Sequence, residues 1–438
     1  MAPVLSVTTN ANNRHQIIKS TVAVIVSLEV PIPKSEELGI AAMKKTKPSS
    51  AGISSAETIA HNQDLLTQIL IRIPPKPLFK LKSVSKRWLS LISSIQFSHS
   101  HSLHHQNQGF LTPTALFLGI GNYYRLPFGL PVLPLNPETQ VPVLDFIVDP
   151  QFKILQSCNG LLLGHCYYKS DEGSRYFICN PSTHKFRIIS LPVSQLGSLR
   201  AVNLAYDPIK SPYYKIICVR KLISPSNRFF IYIYSSKSDA WDASWISFQA
   251  NEYIRFDYAV FCNGVIHWNS NGRKSLRFDV ENKILKKIPM LAPMFQAPEE
   301  SEDEDSRYFG ESRGHLHLGV TYMPFCLKVN VFEMAADYSH WFLKYCLKLD
   351  DAMKILPDLR SFFIENYFGF PVLSVIRSEG EESKVVILVD YKAICYELKD
   401  GILLRVYDLK QYPETLNRCP LNYIGIQSFQ YFETLAWV

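Results

Sequence analysis

The feature that most constrains this chain is a short apolar stretch, Asp64 to Ile95, which has more hydrophobic side chains than a segment of its length can cover. Fifteen of its thirty-two residues are Leu, Ile, Val, Phe or Trp, and none is cysteine. Segments below about 40 residues rarely fold without disulfides, a metal or a partner. Disulfides and thiolate metal sites are excluded here, so the stretch is predicted to be a docking module.

A first helix is predicted after Asp64, which is the expected N-cap. Its apolar residues recur at helical spacing and form one wide stripe. The stripe consists of Leu65, Leu66, Ile69, Leu70 and Ile73. Prolines at positions 74, 75 and 77 are expected to end the helix, because proline lacks an N–H donor and restricts the residue before it.

Two further short helices are predicted within the stretch. One covers about Leu78 to Lys82, and Ser83 or Ser85 is expected to cap the other. The apolar face of the last helix consists of Trp88, Leu91, Ile92 and Ile95. Three helices of this size cannot bury all their apolar faces against one another, so those faces are expected to pack against another surface.

These residues resemble the F-box, the helical motif through which substrate receptors bind the Skp-type adaptor of cullin-based SCF ubiquitin ligases. The resemblance rests on Asp64-Leu65-Leu66, Ile69-Leu70, Arg72-Ile73-Pro74, Lys76, Leu78, Val84-Ser85-Lys86, Trp88 and Leu91-Ile92. It implies an adaptor-binding set of Leu65, Leu66, Ile69, Leu70, Ile73, Pro74, Leu78, Val84, Trp88, Leu91 and Ile92. The family usually opens with Leu-Pro where this chain has His61 and Asn62, which predicts reduced adaptor affinity.

An alternative is that the helices pack against the chain's own later domain, since amphipathic helices usually serve internal cores. The two interpretations differ in exposure. A docking segment is expected to leave Leu65, Leu66, Ile69 and Trp88 partly open.

Composition indicates a globular chain with two or three domains. Of 438 residues, 47% are hydrophobic and 19% charged, with a formal net charge of +7. Much of the local positive charge lies within the apolar stretch, where a basic rim favours an acidic protein partner over phosphate. We therefore do not expect nucleic acid as a partner.

Cysteine usage and hydropathy bear on the cellular compartment. The nine cysteines form an odd set without a CxxC pair, which is typical of reduced core residues in a cytoplasmic or nuclear protein. No run of eighteen apolar residues exists, so no membrane span is expected. Thr21 to Val30 lacks a clear cleavage site and is a poor signal peptide.

Composition changes along the chain predict four segments. Residues 1–56 are expected to form a disordered tail, 57–97 the F-box helices, 98–109 a linker and 110–438 a β domain. The linker contains four histidines, but no co-ligand stands at the spacing of a metal site. Residues 297–307 include an acidic run that is expected to be a flexible insertion.

Beyond about Phe110 short apolar strands alternate with turns. The stretches 229–234 and 385–389 are apolar on both faces and are expected to be covered on both sides. Leu327, Val329 and Val331 alternate with polar residues, which predicts a half-buried strand. This part of the chain is predicted to be mostly β.

A weak repeat in the β region predicts hairpins built to one plan. Each copy has an apolar residue, a polar residue, and an apolar residue six positions later. The copies are Cys179-Asn180 with Phe186, Tyr206-Asp207 with Tyr213, Tyr234-Ser235 with Trp241, Phe278-Asp279 with Leu285, and Tyr396-Glu397 with Leu403. Cys-Asn-Gly triplets at 158–160 and 262–264 predict further tight turns. The repetition favours a propeller, with a sandwich or barrel pair as the alternative.

The same region resembles the F-box-associated, kelch-like type 3 domain that follows the F-box in many plant proteins. The resemblance rests on ordered phrases that cover nearly all of the second half of the chain. They are SCNGLLL at 157–163, YFICNPSTHKFRIISLP at 176–192, AYDPIKSPYYKIICV at 205–219, IYIYSSKSDAW at 231–241, FCNGVIHW at 261–268 and HWFLKYCLKL at 340–349. The resemblance implies a substrate-holding domain.

Catalysis and other binding functions are the competing hypotheses. Cys158 and Cys262 are candidate nucleophiles, but each precedes an Asn-Gly turn and neither has a histidine or acid beside it in the pattern. His315 and His317 lie at a spacing that suits metal, without a third ligand. A propeller that binds carbohydrate or nucleic acid without ligase assembly stays open, and aromatic side chains converging on the hairpin loops would favour it.

The sequence therefore predicts an α+β protein in two parts, a small N-terminal three-helix F-box followed by a mostly β, propeller-like domain. The predicted function is substrate recognition in an SCF ubiquitin ligase. The Skp-type adaptor, and through it cullin and RING subunits, are the expected partners, together with a protein substrate whose binding residues the sequence does not identify. No cofactor, metal or catalytic residue is expected in the chain, which would act by proximity.

Overall fold

The structure is a computed structural model. It describes residues 62–107, 112–120, 131–136, 142–147, 152–166, 175–192, 197–223, 227–291, 307–322, 328–349, 371–378, 383–389, 392–409 and 426–438. The chain divides into two compact units, Met1–Gln108 and Gly109–Val438. The predicted tail at 1–56 and the acidic insertion, apart from Arg307, lie outside the described residues.

The described part of the first unit contains four helices. They are α1 (Gln63–Leu70), α2 (Pro75–Leu81), α3 (Lys86–Ile92) and α4 (Ile95–Asn107). The three helices predicted between Asp64 and Ile95 are confirmed as α1, α2 and α3, and α4 is an additional helix. The linker predicted at 98–109 is wrong, because α4 occupies most of it and includes the buried His101.

Side-chain caps determine where α1 and α3 begin. The side-chain oxygen of Asn62 accepts hydrogen bonds from the backbone N–H groups of Asp64 and Leu65 at 3.0 and 3.1 Å. Asn62, rather than the predicted Asp64, is thus the N-cap of α1. The hydroxyl of Ser85 accepts from the backbone N–H of Trp88 at 3.2 Å, which confirms Ser85 as one of the two caps predicted for α3.

The described part of the second unit consists of six antiparallel sheets, each with three to five strands. The first, blade 1, pairs β1 (Ala115–Ile120) with β2 (Val132–Pro134) and with the last strand, β24 (Ile426–Tyr431). Blade 2 contains β3 (Phe152–Cys158), β4 (Leu161–Cys166), β5 (Arg175–Asn180) and β6 (Lys185–Ile189). Blade 3 contains β7 (Gly197–Ala205), β8 (Lys215–Leu222), β9 (Arg228–Ser235), β10 (Ala240–Trp241) and β11 (Ile246–Gln249).

The remaining three sheets each have four strands in chain order. Blade 4 contains β12 (Ile254–Cys262), β13 (Val265–Ser270), β14 (Lys274–Asp279) and β15 (Ile284–Pro289). Blade 5 contains β16 (Tyr308–Ser312), β17 (His315–Tyr322), β18 (Lys328–Met334) and β19 (Trp341–Lys348). Blade 6 contains β20 (Val372–Ile376), β21 (Lys384–Val389), β22 (Lys392–Glu397) and β23 (Leu403–Asp408).

The innermost strands close into a ring. The strands β3, β7, β12, β16, β20 and β24 contact one another in that order, and β24 in turn contacts β3. Within blade 1, β24 pairs with β1, so the last strand of the propeller joins the first. This six-blade propeller confirms the predicted architecture and rules out the sandwich and the barrel pair.

The hairpin pattern predicted from the sequence marks the outer hairpin of most blades. Four of the five predicted pairs lie directly opposite each other in the strand register: Cys179 and Phe186, Tyr234 and Trp241, Phe278 and Leu285, and Tyr396 and Leu403. The copy at Tyr206 is wrong, because it falls in the connection between β7 and β8. Met334 and Trp341 supply the equivalent pair in blade 5. In blades 3 to 6 both residues of the pair pack with residues of the preceding blade, and in blade 2 Cys179 does so.

Both predicted Asn-Gly turns are confirmed by their backbone angles. Asn159 and Gly160 have φ of 47° and 91°, and Asn263 and Gly264 have φ of 52° and 87°. Positive φ at both central residues is the signature of the tight hairpin turn that suits twisted strands.

Burial agrees with two of the three predicted strand patterns. Residues 229–234 of β9 and 385–389 of β21 are buried throughout, as predicted. The half-buried pattern predicted around Val329 is wrong, because Asn330 and Glu333 of β18 are buried as well. Leu327 lies outside the described residues.

Candidate docking surface and propeller sites

The eleven residues predicted to bind the adaptor fall into two groups. Six are buried: Leu66, Leu70, Ile73, Leu78, Trp88 and Ile92. Leu65 is 43% exposed and Pro74 is exposed, while Ile69, Val84 and Leu91 are half-buried. We call these five residues the docking set.

Part of the exposure prediction is therefore wrong. Leu66 and Trp88 have no exposed surface, so they belong to the interior of the unit and not to a surface that a partner could reach. Leu65 and Ile69 are open as predicted. The physical reason is that Leu65 and Leu66 are adjacent on α1, and adjacent helical residues point about 100° apart.

Sequence reasoning missed Leu89, whose side chain is 48% exposed on α3. The apolar face predicted for this helix included its neighbour Trp88, and a single exposed leucine between Trp88 and Ser90 gives no periodic signal.

A groove of about 450 Å³ also lies on this unit, lined by Gln63, Thr67, Arg87, Ser90, Leu91, Ser94, Gln96, Phe97 and Ser100.

Helix α4 braces the bend between α1 and α2. His101 is buried, and its Nε2 lies 2.8 Å from the carbonyl oxygen of Ile73, next to the prolines that interrupt the helix. Burial lowers the pKa of His101 to about 3, with the neighbouring His105 lowering it further. The ring is therefore neutral at physiological pH and donates its N–H to the Ile73 carbonyl, whose partner in a continued helix would be residue 77, a proline without an N–H.

The helical unit is strongly basic. Between residues 62 and 107 there are six lysines and arginines, against Asp64 as the single carboxylate. Arg72, Lys80 and Lys86 are exposed. The unit that contains the docking set thus has an excess of positive charge, which complements an acidic protein surface.

In the propeller, the burial of Cys158 and Cys262 opposes the nucleophilic role considered for them. The thiol of Cys158 donates to the carbonyl of Tyr206, and burial raises its pKa well above the ordinary range. Burial likewise raises the pKa of Cys262. A nucleophile must reach the thiolate form, and these environments oppose it. Of the seven described cysteines, all are free and six are buried, whereas Cys346 is exposed.

The two histidines considered as metal ligands lie beside an ion cluster. His315 Nδ1 lies 3.1 Å from a carboxylate oxygen of the buried Glu333, and the guanidinium of Arg377 lies 3.0 Å from the other oxygen. His317 is buried opposite Glu333 in the strand register. Within the described residues no group of three His, Cys, Asp or Glu side chains could hold a metal ion. The arrangement links blades 5 and 6 electrostatically.

The outer hairpin turns do not form an aromatic platform. Among the described turn residues, Tyr338 is the one Phe, Trp or Tyr, and it is already engaged. Its hydroxyl lies 3.0 Å from Nε2 of His267, and the guanidinium of Arg277 lies 3.9 Å from its ring centroid. The loop array that would favour a carbohydrate ligand is therefore not present in this part of the chain.

Comparison with known proteins agrees with both units. A model of the F-box associated beta propeller domain matches residues 135–401, and a model of the F-box domain matches residues 62–100. The chain belongs to the F-box proteins with an associated β-propeller. The propeller match covers more than half of the chain, and the F-box match begins at Asn62, the N-cap of α1.

Plant F-box proteins are among the relatives of this F-box protein. It is 28% identical to F-box protein At5g07610 of Arabidopsis thaliana over 417 residues, which cover 87% of this chain and 94% of that protein. It is 29% identical to F-box protein At5g49610 of the same plant, over 52% of this chain and 63% of the relative. No described helix is long and apolar enough to cross a membrane.

Proposed function

We propose that this F-box protein is the substrate-recognition subunit of an SCF-type ubiquitin ligase. In this proposal the helical unit binds the Skp-type adaptor, and through it cullin and RING subunits, while the propeller holds a protein substrate. The chain performs no bond chemistry and acts by raising the effective concentration of substrate near the ubiquitin-charged enzyme. The free cysteines favour a cytoplasmic or nuclear location.

The observation that carries the proposal is the docking set. Leu65 is a large apolar side chain left 43% exposed on the first helix of the matched F-box domain, and Ile69 is half-buried one turn later. Exposed apolar residues rimmed by polar or charged ones are typical of protein interaction sites. The excess of basic residues in the same unit favours an acidic partner surface.

The test is assembly of the full chain with purified Skp-type adaptor, cullin and RING subunits, followed by size-exclusion chromatography. Leu65→Asp places a charge in the docking set at a position that is already exposed, so we expect the variant to fold and to lose co-elution. Gln68→Asp adds the same charge to an exposed position of α1 outside the docking set and is expected to co-elute normally. Co-elution of Leu65→Asp at the wild-type level would contradict the proposed docking surface.

A further inference from the structure

Helix α4 packs inward through a stripe of rings. Phe97, His101 and His105 are spaced four residues apart, so they lie on one side of the helix. Phe97 and His101 are buried, and His105 is half-buried. The ring centroids of Phe97 and His101 lie 6.1 Å apart, and those of His101 and His105 lie 4.2 Å apart. We call these three residues the α4 stripe, in which two of the three rings can gain a proton.

The α4 stripe contacts the bend between α1 and α2. His101 donates from Nε2 to the carbonyl oxygen of Ile73 at 2.8 Å, and the ring of His105 interacts with the carbonyls of Ile71 and Ile73. The residues that would bond these two carbonyls in a continued helix, at positions 75 and 77, are prolines without an N–H. The stripe therefore supports a bend that lacks part of its own helical bonding.

Helix α4 also borders the docking set. Its Phe97 and Ser100 line the same groove as Leu91, the member of the docking set that lies on α3. Release of α4 would therefore remove one wall of this groove and the support of the α1–α2 bend at the same time.

The surroundings of the stripe oppose its protonation. Burial lowers the pKa of His101 to about 3, and the charge of His105 lowers it further. Burial and the charge of His104 lower the pKa of His105, while burial and the guanidinium of Arg72 lower that of His104. Asp64, the single carboxylate between residues 62 and 107, is not among the charges that act on these rings. A proton gained by the stripe would have no counter-charge in the described helical unit.

The sign of the pH dependence follows from this geometry. A histidine released into water has a pKa of about 6.5, above that of the buried ring of His101, so the released state binds the proton more tightly. The packed state of α4 is therefore fully favoured above about pH 6.5 and loses stability as the pH falls towards about 3. For His101 alone, the ratio of released to packed α4 rises about 10-fold for each pH unit below about 6.5.

We propose that α4 is a pH-sensitive brace of the adaptor-docking surface. Acidification below about pH 6.5 protonates the α4 stripe, releases the helix from the α1–α2 bend and opens the groove that contains Leu91. The consequence for adaptor binding rests on the proposed function. The release itself is a property of the helical unit and is measured without a partner.

The test is hydrogen exchange of residues 95–107 in the full chain at about pH 7.5 and about pH 5.5, corrected for the intrinsic exchange rate. Protection of α4 in the wild type is expected to fall on the order of 10-fold or more between the two conditions. His101→Gln keeps a side-chain N–H donor but gains no proton, and is expected to retain only the part of the change that His105 supplies. His340→Gln, at an exposed position of blade 5, is the control and is expected to behave as the wild type.

Two results would overturn the inference. One is protection of α4 that is the same at both pH values in the wild type, and the other is an equal pH dependence in the wild type and in a folded His101→Gln. If His101→Gln already lacks α4 protection at about pH 7.5, the wild type decides. A larger loss of protection in residues 95–107 than in the buried residues 229–234 of blade 3 then supports the brace, and an equal loss overturns it.

Adaptor co-elution at about pH 7.5 is measured on the same wild-type sample, where the α4 stripe is neutral. Failure of co-elution there would contradict the proposed function. A pH-independent α4 with adaptor co-elution intact contradicts this inference alone.

Discussion

Closure of the propeller ring depends on Asn180, at the end of β5, and we expect Asn180→Ala to loosen it. The side chain is fully buried, and its Nδ2 donates to the carbonyl oxygens of Thr434 at 3.2 Å and Ala436 at 2.8 Å. Its Oδ1 accepts from the backbone N–H of Ser182 at 2.9 Å. The two Nδ2 bonds attach the segment that follows β24 to blade 2, and the Oδ1 bond holds the turn after β5.

The magnitude follows from the three lost hydrogen bonds. Each net hydrogen bond contributes about 0.5–1.5 kcal/mol, and a buried group left unsatisfied costs about 1–3 kcal/mol. Both carbonyls belong to buried residues, so water does not replace Asn180 without rearrangement. We expect Asn180→Ala to lower the free energy of unfolding of the propeller by about 2–4 kcal/mol.

The assay is urea unfolding of the full chain, followed by circular dichroism, together with hydrogen exchange of residues 426–438. Exchange in that segment is expected to accelerate in Asn180→Ala. Asn282→Ala serves as the control, because Asn282 is exposed and bonds to Asp279 at a turn; a change within about 0.5 kcal/mol is expected there. Equal effects of the two substitutions would refute the role given to Asn180.

Three further outcomes are expected. Leu66→Asp buries a charge in the interior of the helical unit and should unfold it, by about 3 kcal/mol or more, as a loss of helical circular dichroism; retained helix would contradict the burial described. Burial raises the pKa of Glu311 to about 7, opposed by a hydrogen bond from the N–H of Gly314, so the folded state binds its proton more tightly than the unfolded state. The contribution of Glu311 to stability should therefore fall as pH rises from about 4.5 to about 7, opposite in sign to that of the buried His101, His267 and His317. The stability of the wild type relative to Glu311→Gln should fall over that range, and a difference that does not change with pH would be inconsistent with this. Iodoacetamide should modify the exposed Cys346 before Cys158 or Cys262, as read by mass spectrometry, and the reverse order would show that the two buried thiols are reactive.

Much of the propeller could be predicted from its sequence because each outer hairpin repeats the same local chemistry. Two apolar residues seven positions apart face each other across a turn and pack on the preceding blade, as Phe278 and Leu285 do. The copy at Tyr206 misled because the β7–β8 connection has the same apolar–polar spacing. The pair in blade 5 was missed because Ala335 follows Met334 where the other copies have a polar residue.

The helical unit was predictable in its proline breaks and in the cap of α3, but not in the cap of α1 or in its interior. Proline and serine act locally, so the end of α1 and the start of α3 are encoded within a few residues. A wide apolar stripe does not reveal which edge faces inward, and so Leu66 and Leu65 could not be told apart. Helix α4 was missed because it is rich in histidine and serine, and its position depends on Phe97 and His101, which are buried by distant residues.

The central claim is tested most directly by calorimetric titration of the full chain with a purified plant Skp-type adaptor. The account predicts saturable binding with one adaptor per chain, which Leu65→Asp weakens strongly while its urea unfolding curve stays that of the wild type. If the folded wild-type chain gave no binding heat and no complex, this F-box unit would not be an adaptor-docking module.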